Sequence, residues 1–173
     1  MSINDPFPGD WYEGADRPSA PSAARIREEQ ERFVDRQLRS RPLRVYVAGA
    51  SSERFTVIRP TISRLRAVGC VVTHDWTTCP GFDRPSTEEE KRQWAAEDLQ
   101  GVRSADLLWY MAPVDKSEGS HGELMAAIVL GKRTVVSGPW WAHGRIFPLL
   151  AGERYDDHEV AFMAIAAAAK VSL

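Results

Sequence analysis

The sequence predicts an α/β domain built on an open parallel sheet flanked by helices, and three observations carry that prediction. Apolar runs of strand length alternate with stretches of helical periodicity from Leu43 onward. The first run, Leu43-Arg44-Val45-Tyr46-Val47-Ala48-Gly49-Ala50, ends in small residues, as a buried parallel strand does before it turns into a helix. The 173 residues, 43% of them hydrophobic, suffice for one domain with a full core and are too few for two.

Residues 1 to about 21 contain Pro6, Pro8, Gly9, Gly14, Pro18 and Pro21 with few apolar groups, and read as an irregular arm. Ser22 can cap a charged helix to about Leu38, whose apolar positions Ile26, Phe33, Val34 and Leu38 make one narrow face. That helix packs outside the domain or reaches a second subunit. The expected division is therefore an N-terminal arm and charged helix over 1–40 and the α/β domain over 41–173. After the first strand, Phe55, Ile58, Ile62, Leu65 and Val68 are spaced for a helix closed by Gly69. Residues 70–74 form the second strand. A polar loop over residues 77–86 leads to Thr87, which caps a helix through Gln100 because Glu90 stands at the capping-box position. Residues 106–111 are the third strand, 122–130 a helix ended by Gly131, 133–137 the fourth strand, and 157 to about 170 an alanine-rich last helix. No repeat of fixed period is present.

Composition excludes several function classes. A net charge of −2 provides no field to hold a polyanion, so nucleic-acid polymers and membrane surfaces are not favoured partners. Cys70 and Cys79 belong to no CxxC or Cys/His cluster, which points to reduced thiols and no zinc site. The first ten residues contain no apolar signal region, and no uncharged apolar run reaches about 18 residues, so a soluble cytoplasmic protein is expected. His74, His121, His143 and His158 are too scattered for an HExxH site, and no serine stands in a GxSxG elbow.

In open parallel sheets ligands bind beyond the carboxyl ends of strands, where strand order reverses. That rule selects residues 49–54, 74–78 and 112–123. Glu123 is read as opening a helix after a glycine-rich loop, where the helix dipole would keep it ionised. A fixed carboxylate can attack or support an electron-poor sugar carbon, although a first-turn glutamate that only stabilises its helix has the same spacing. Asp98 lies near a helix C-terminus, against its local electrostatics, and is either a working acid or a surface partner of Arg103 or Arg92. Asp106 opens a strand and is read as structural. The loop Gly49-Ala50-Ser51-Ser52-Glu53-Arg54 joins strand to helix, so amides, two hydroxyls and a guanidinium can converge on a phosphate or on sugar hydroxyls, or Ser51 and Ser52 simply cap the helix. It lacks both GxGxxG and GxxxxGK[ST]. Among the tryptophans, Trp76 at a strand's carboxyl end can stack on a base, whereas Trp94, Trp109, Trp140 and Trp141 read as core or subunit contacts.

Taken in order, Val45-Tyr46-Val47-Ala48-Gly49, Asp98 and Ala105-Asp106, Gly119 and Glu123-Leu124, Ala126-Ala127 and Gly131-Lys132-Arg133 resemble the nucleoside 2-deoxyribosyltransferase family, with its related nucleotide N-hydrolases. The similarity covers residues 43–137. It implies a flavodoxin-like sheet, a homodimer or higher homo-oligomer, and cleavage of the N-glycosidic bond of a small nucleoside or nucleotide with no metal and no organic cofactor. It implies Glu123 as nucleophile, forming a glycosyl-enzyme intermediate, and Asp98 as the residue that contacts the base and helps protonate the leaving nitrogen. Tyr46, Gly49, Ser51, Ser52, Arg54, Trp76, Ser117 and Gly119 are the implied substrate contacts. Ser117 stands where transferases of the family carry an aspartate, which favours transfer of the sugar to water over transfer to a second base. Pro148 stands where similar nucleotide hydrolases carry a serine used by the neighbouring subunit, which argues against a 5′-phosphate preference. The reading from another class is a non-catalytic module that binds or senses a nucleotide in the same pocket. The blandest is an assembly protein that needs neither acid.

Overall fold

The computed structural model describes residues 41–82, 84, 86–112, 117–138 and 150–171. The expected arm and helix over 1–40 lie outside these residues, as do Trp140, Trp141, His143 and the 144–148 stretch with Pro148. Five parallel strands form one sheet: β1 (Arg44–Ala48), β2 (Val71–Val72), β3 (Leu107–Met111), β4 (Arg133–Ser137) and β5 (Glu153–Tyr155). Among the described residues four α-helices accompany them, α1 (Arg59–Ala67) after β1, α2 (Glu88–Ser104) after β2, α3 (Glu118–Val129) after β3 and α4 (His158–Val171) after β5. The order across the sheet is β2-β1-β3-β4-β5, the flavodoxin-like arrangement of an open α/β sheet. The chain leaves β1 for β2 on one side and returns to β3 on the other. The carboxyl ends of β1 and β3 therefore flank the switch point.

Central strand β3 is buried along its whole length, including Trp109 and Tyr110. Its polar handle is satisfied: the Trp109 indole donates to Ser137 Oγ at 2.8 Å, and that hydroxyl lies 2.7 Å from His158 Nδ1. At the other end of the sheet Asp106 is structural, accepting from the Arg44 backbone amide at 3.0 Å and pairing with Arg41 at 2.6 Å. Both cysteines are free thiols. No described helix is long and apolar enough to cross a membrane.

Four local outcomes differ from the sequence expectation. The helix expected from Phe55 is preceded by a 3-10 turn (Ser51–Glu53) and a π turn (Arg54–Ile58), and only then becomes α1. Pro60 lacks the amide hydrogen that an α-helix would aim at the Thr56 carbonyl, so the chain enters through a wider turn. Helix α3 begins at Glu118, not at Gly122. Ser117 starts it, with its carbonyl accepting from Ser120 Oγ at 3.2 Å and lying 2.7 Å from His121 Nδ1. Burial of Ser120 and Leu124 outweighs the cost of Gly119 and Gly122, about 1 kcal/mol each in a helix. Strand β5 has no sequence counterpart above, because its three residues, Glu153-Arg154-Tyr155, form a short charged edge without an apolar pattern. Glu153 pairs there with Arg133 at 2.6 Å.

The fourth difference shapes the ligand edge. Strand β2 spans only Val71–Val72, and its ladder on β1 ends with the Thr73 amide on the Val45 carbonyl at 3.0 Å. The next such carbonyl of β1, that of Val47, accepts instead from the Trp76 indole nitrogen at 2.7 Å. A side chain closes the ladder, and the backbone turns away into two 3-10 turns, Trp76–Thr78 and Pro80–Phe82.

The capping box at α2 is formed as its sequence suggests, with Thr87 Oγ1 accepting from the Glu90 amide at 3.2 Å and Glu90 Oε2 accepting from the Thr87 amide at 2.9 Å. Thr87→Ala is expected to lower the free energy of unfolding by about 1 kcal/mol, read as a lower urea midpoint at unchanged slope.

Candidate active site

A cavity of about 690 Å³ opens at the carboxyl edge of the sheet, over the switch point. Residues following β1 (Gly49 to Ser52), residues following β2 (His74 to Pro80), one face of α2 and the start of α3 wall it. Its size suits a small organic ligand.

At its floor Tyr46 of β1, itself fully buried, holds two acids. Its hydroxyl lies 2.8 Å from Glu123 Oε1 on α3 and 3.1 Å from Asp98 Oδ1 on α2. His74 Nε2 lies 3.4 Å from the same Asp98 oxygen. Arg92, weighed as a partner of Asp98, pairs instead with Glu88 at 3.1 Å. A phenol carries one hydrogen and can donate to one carboxylate at a time. The other acid must supply a hydrogen of its own to the phenol oxygen. The geometry thus favours one proton shared between the two carboxyl groups.

Electrostatics assigns that proton. Burial, reinforced by the negative charge of Asp98 and opposed only by the Tyr46 hydrogen bond, pushes the Glu123 carboxyl up to about 8. Burial also raises Asp98, but the Tyr46 hydroxyl and His74 counter it. The phenol itself is driven far above its ordinary range by burial and by the two acids, so it stays neutral. This corrects the expectation that a helix N-terminus keeps Glu123 ionised. Glu123 sits in the second turn of α3, beyond the reach of the unpaired amides, and desolvation outweighs a dipole effect of at most about 1 kcal/mol.

The remaining candidates divide. Gly49, Ser51, Ser52, Trp76, Ser117 and Gly119 line the same cavity, and Tyr46 lies under it. Arg54 is not among the lining residues: it is buried, its guanidinium carbon 4.1 Å over the Phe55 ring. Gly49 has a packing reason, since a Cβ there would come within 2.4 Å of Ile58 Cδ1, whereas a Cβ at Gly119 would meet nothing within 4 Å. The sequence placed His74 within a ligand-edge segment without giving it a contact, and passed over Trp94, Lys91 and Cys79; all four line the cavity. One signal for Trp94 was present: it precedes Asp98 by one helical turn and so shares its face. Among the described residues no group of three His, Cys, Asp or Glu side chains is placed to hold a metal ion.

No protein-family model matches the chain, and no curated protein does. Among solved structures it is similar to a CMP N-glycosidase of Clostridium botulinum, with a TM-score of 0.46 and 16% identity over 72% of this chain and 98% of that one. A likeness of that degree says nothing about chemistry.

A carboxyl group raised from 4.5 to about 8 in the folded state binds a proton that the unfolded state has released between those values. It therefore costs stability as pH rises through that window. Glu123→Gln is expected to be more stable than the parent by about 1–3 kcal/mol at pH 8 and to lose this advantage near pH 5, measured by paired denaturation curves at the two pH values.

Proposed function

We propose that this protein cleaves the N-glycosidic bond of a nucleoside or nucleoside 5′-monophosphate, with Glu123 as nucleophile and Asp98 as proton donor, and passes the sugar to water in preference to a second base. The observation that carries this reading is the Tyr46 hydroxyl held between the two carboxyl groups at a cavity floor. Oxygens bound to one phenol are no more than about 6 Å apart, near the carboxylate separation of retaining glycosidases and below that of inverting ones.

The chemistry follows from the shared proton. At rest Glu123 donates to the phenol oxygen and the phenol donates to the Asp98 carboxylate. Shifting both hydrogens one bond along leaves Glu123 ionised, Asp98 protonated and Tyr46 neutral. The Glu123 carboxylate then bonds to the anomeric carbon as the carbon–nitrogen bond breaks. The bonding pair goes to the base nitrogen, which takes the proton from Asp98, and the base leaves. Water attacks the glycosyl ester at the same carbon, gives its proton to Asp98 and releases Glu123 as carboxylate, so the pair regains its single proton. Trp76 and Trp94 provide apolar walls for a planar base, and Ser51, Ser52 and Ser117 provide hydroxyls for the sugar or its phosphate. The enzyme acts as a homodimer or higher homo-oligomer in the cytoplasm on this reading.

The non-catalytic alternative draws support from one feature: a protonated Glu123 is a hydrogen-bonding group and can hold a nucleotide without attacking it. Chromatography of ribo- and deoxyribonucleosides and their 5′-monophosphates after incubation, with and without a free acceptor base, separates the readings. Free base released without acceptor and absent with Glu123→Gln is the expected result, while Asp98→Asn slows release by about 100-fold or more. Retained binding with no release from any substrate by the parent protein would favour the sensing module.

The active form carries one proton on the pair, so kcat/KM should be bell-shaped. It declines above about pH 8, when the last proton leaves and no donor remains, and declines again in acid, when both groups are protonated and no nucleophile remains. A rate still rising at pH 9 would contradict the shared-proton scheme.

A further inference from the structure

We propose that Gly101 is a positioning residue of this site: its missing side chain is what lets α2 approach β1 closely enough for Asp98 to reach the Tyr46 hydroxyl. The proposal rests on the reading of Asp98 as the acid. Trp94, Asp98 and Gly101 follow one another at four and three residues along α2 and so share one stripe, the one that faces the cavity and β1. Gly101 is the buried end of that stripe.

A Cβ placed on Gly101 would lie 2.6 Å from His74 Cβ and 2.9 Å from both Cδ2 and Cε2 of the Tyr46 ring. Neither neighbour can swing aside. His74 Cβ is fixed to its backbone, and the Tyr46 ring is wholly buried with its hydroxyl bound at both sides. Carbon atoms rest about 3.5–4.0 Å apart, so relief requires the helix to retreat by about 1 Å. Asp98, one turn away on the same helix, retreats with it. Its contacts at 3.1 Å to Tyr46 and 3.4 Å to His74 are already long and would not survive that step. Glu123 stands on α3 and keeps its 2.8 Å bond to Tyr46.

Nothing else in the helix asks for glycine at this position. Its φ is not among the positive values, which belong to Gly69, Gly131 and Gly138, and alanine favours a helix interior more than glycine does. By contrast, open space surrounds Gly119 and Gly122 in α3. Among the described glycines within α-helices, the close approach is specific to Gly101.

The test is Gly101→Ala in the full chain, with the side-chain carboxyl carbons of Glu123 and Asp98 followed by NMR through a pH titration of the unliganded protein. The parent and Asp98→Asn serve as references. With Asp98 withdrawn, Glu123 loses a neighbouring negative charge, so its titration in Gly101→Ala is expected to move down toward that in Asp98→Asn. For whichever nucleoside or nucleotide the parent cleaves, kcat should fall by about 100-fold with KM changed far less. If the single variant does not fold, Gly101→Ala combined with His74→Gly leaves the 2.9 Å contacts with the Tyr46 ring, and the same downward move of Glu123 is expected there relative to His74→Gly alone. A folded variant whose Glu123 titrates as in the parent overturns the proposal. The titration needs no substrate, so a parent protein that cleaves no nucleoside would sink the function assigned above while leaving the Gly101 result standing.

Discussion

One hydrogen on one phenol, shared between two half-buried acids at the floor of a cavity, is the constraint on which the rest of this structure depends. Tyr46 must come from the strand at the switch point, because only there can helices from both flanks converge on one side chain. Helix α2 follows β2 on one side of β1 and α3 follows β3 on the other, and each brings one acid. The strand order is thus part of the site's electrostatics. It holds two acids near each other where solvent screens them less than in bulk water, and the proton they share is the cheapest relief.

Competition between two effects decides the character of Glu123. A helix N-terminus favours an anion by a fraction of a kcal/mol and only within its first turn. Desolvation of a carboxylate acts everywhere beneath the surface and is worth several times as much. The winding of Glu118 to Gly122 into helix moves Glu123 out of the favourable zone, so burial decides. A carboxyl group held in reserve as its acid is less prone to trap stray cations and can ionise when a bound ligand rearranges its hydrogen bonds.

Much of the fold was legible because its signals are local. Buried strands such as β3 and β4 announce themselves as apolar runs, α2 by Thr87 and Glu90, and α4 by its alanines, with Asp157 Oδ1 accepting from the Glu159 and Val160 amides at 2.6 and 3.2 Å at its start. What stayed hidden is non-local. Residue types and family likeness single out Asp98 and Glu123, yet their meeting at Tyr46 spans 52 and 77 residues of sequence and follows only from the strand order. Gly101 looks like a weak point in a helix until its neighbours are known. The packing of Arg54 beside Phe55 has no sequence signature. The short strand β5 is stabilised by its place on the sheet edge, not by its composition.

The bond from the Trp76 indole to the Val47 carbonyl separates two tasks that backbone usually performs together. The sheet is sealed at this rung by a side chain, so the segment beyond it carries no duty to the ladder. Residues 77 to 82 can then lengthen, shorten or change chemistry without unzipping β1 from β2. A lineage built on this scaffold is free to explore new ligands along one wall of the cavity while the acids and their phenol stay in place.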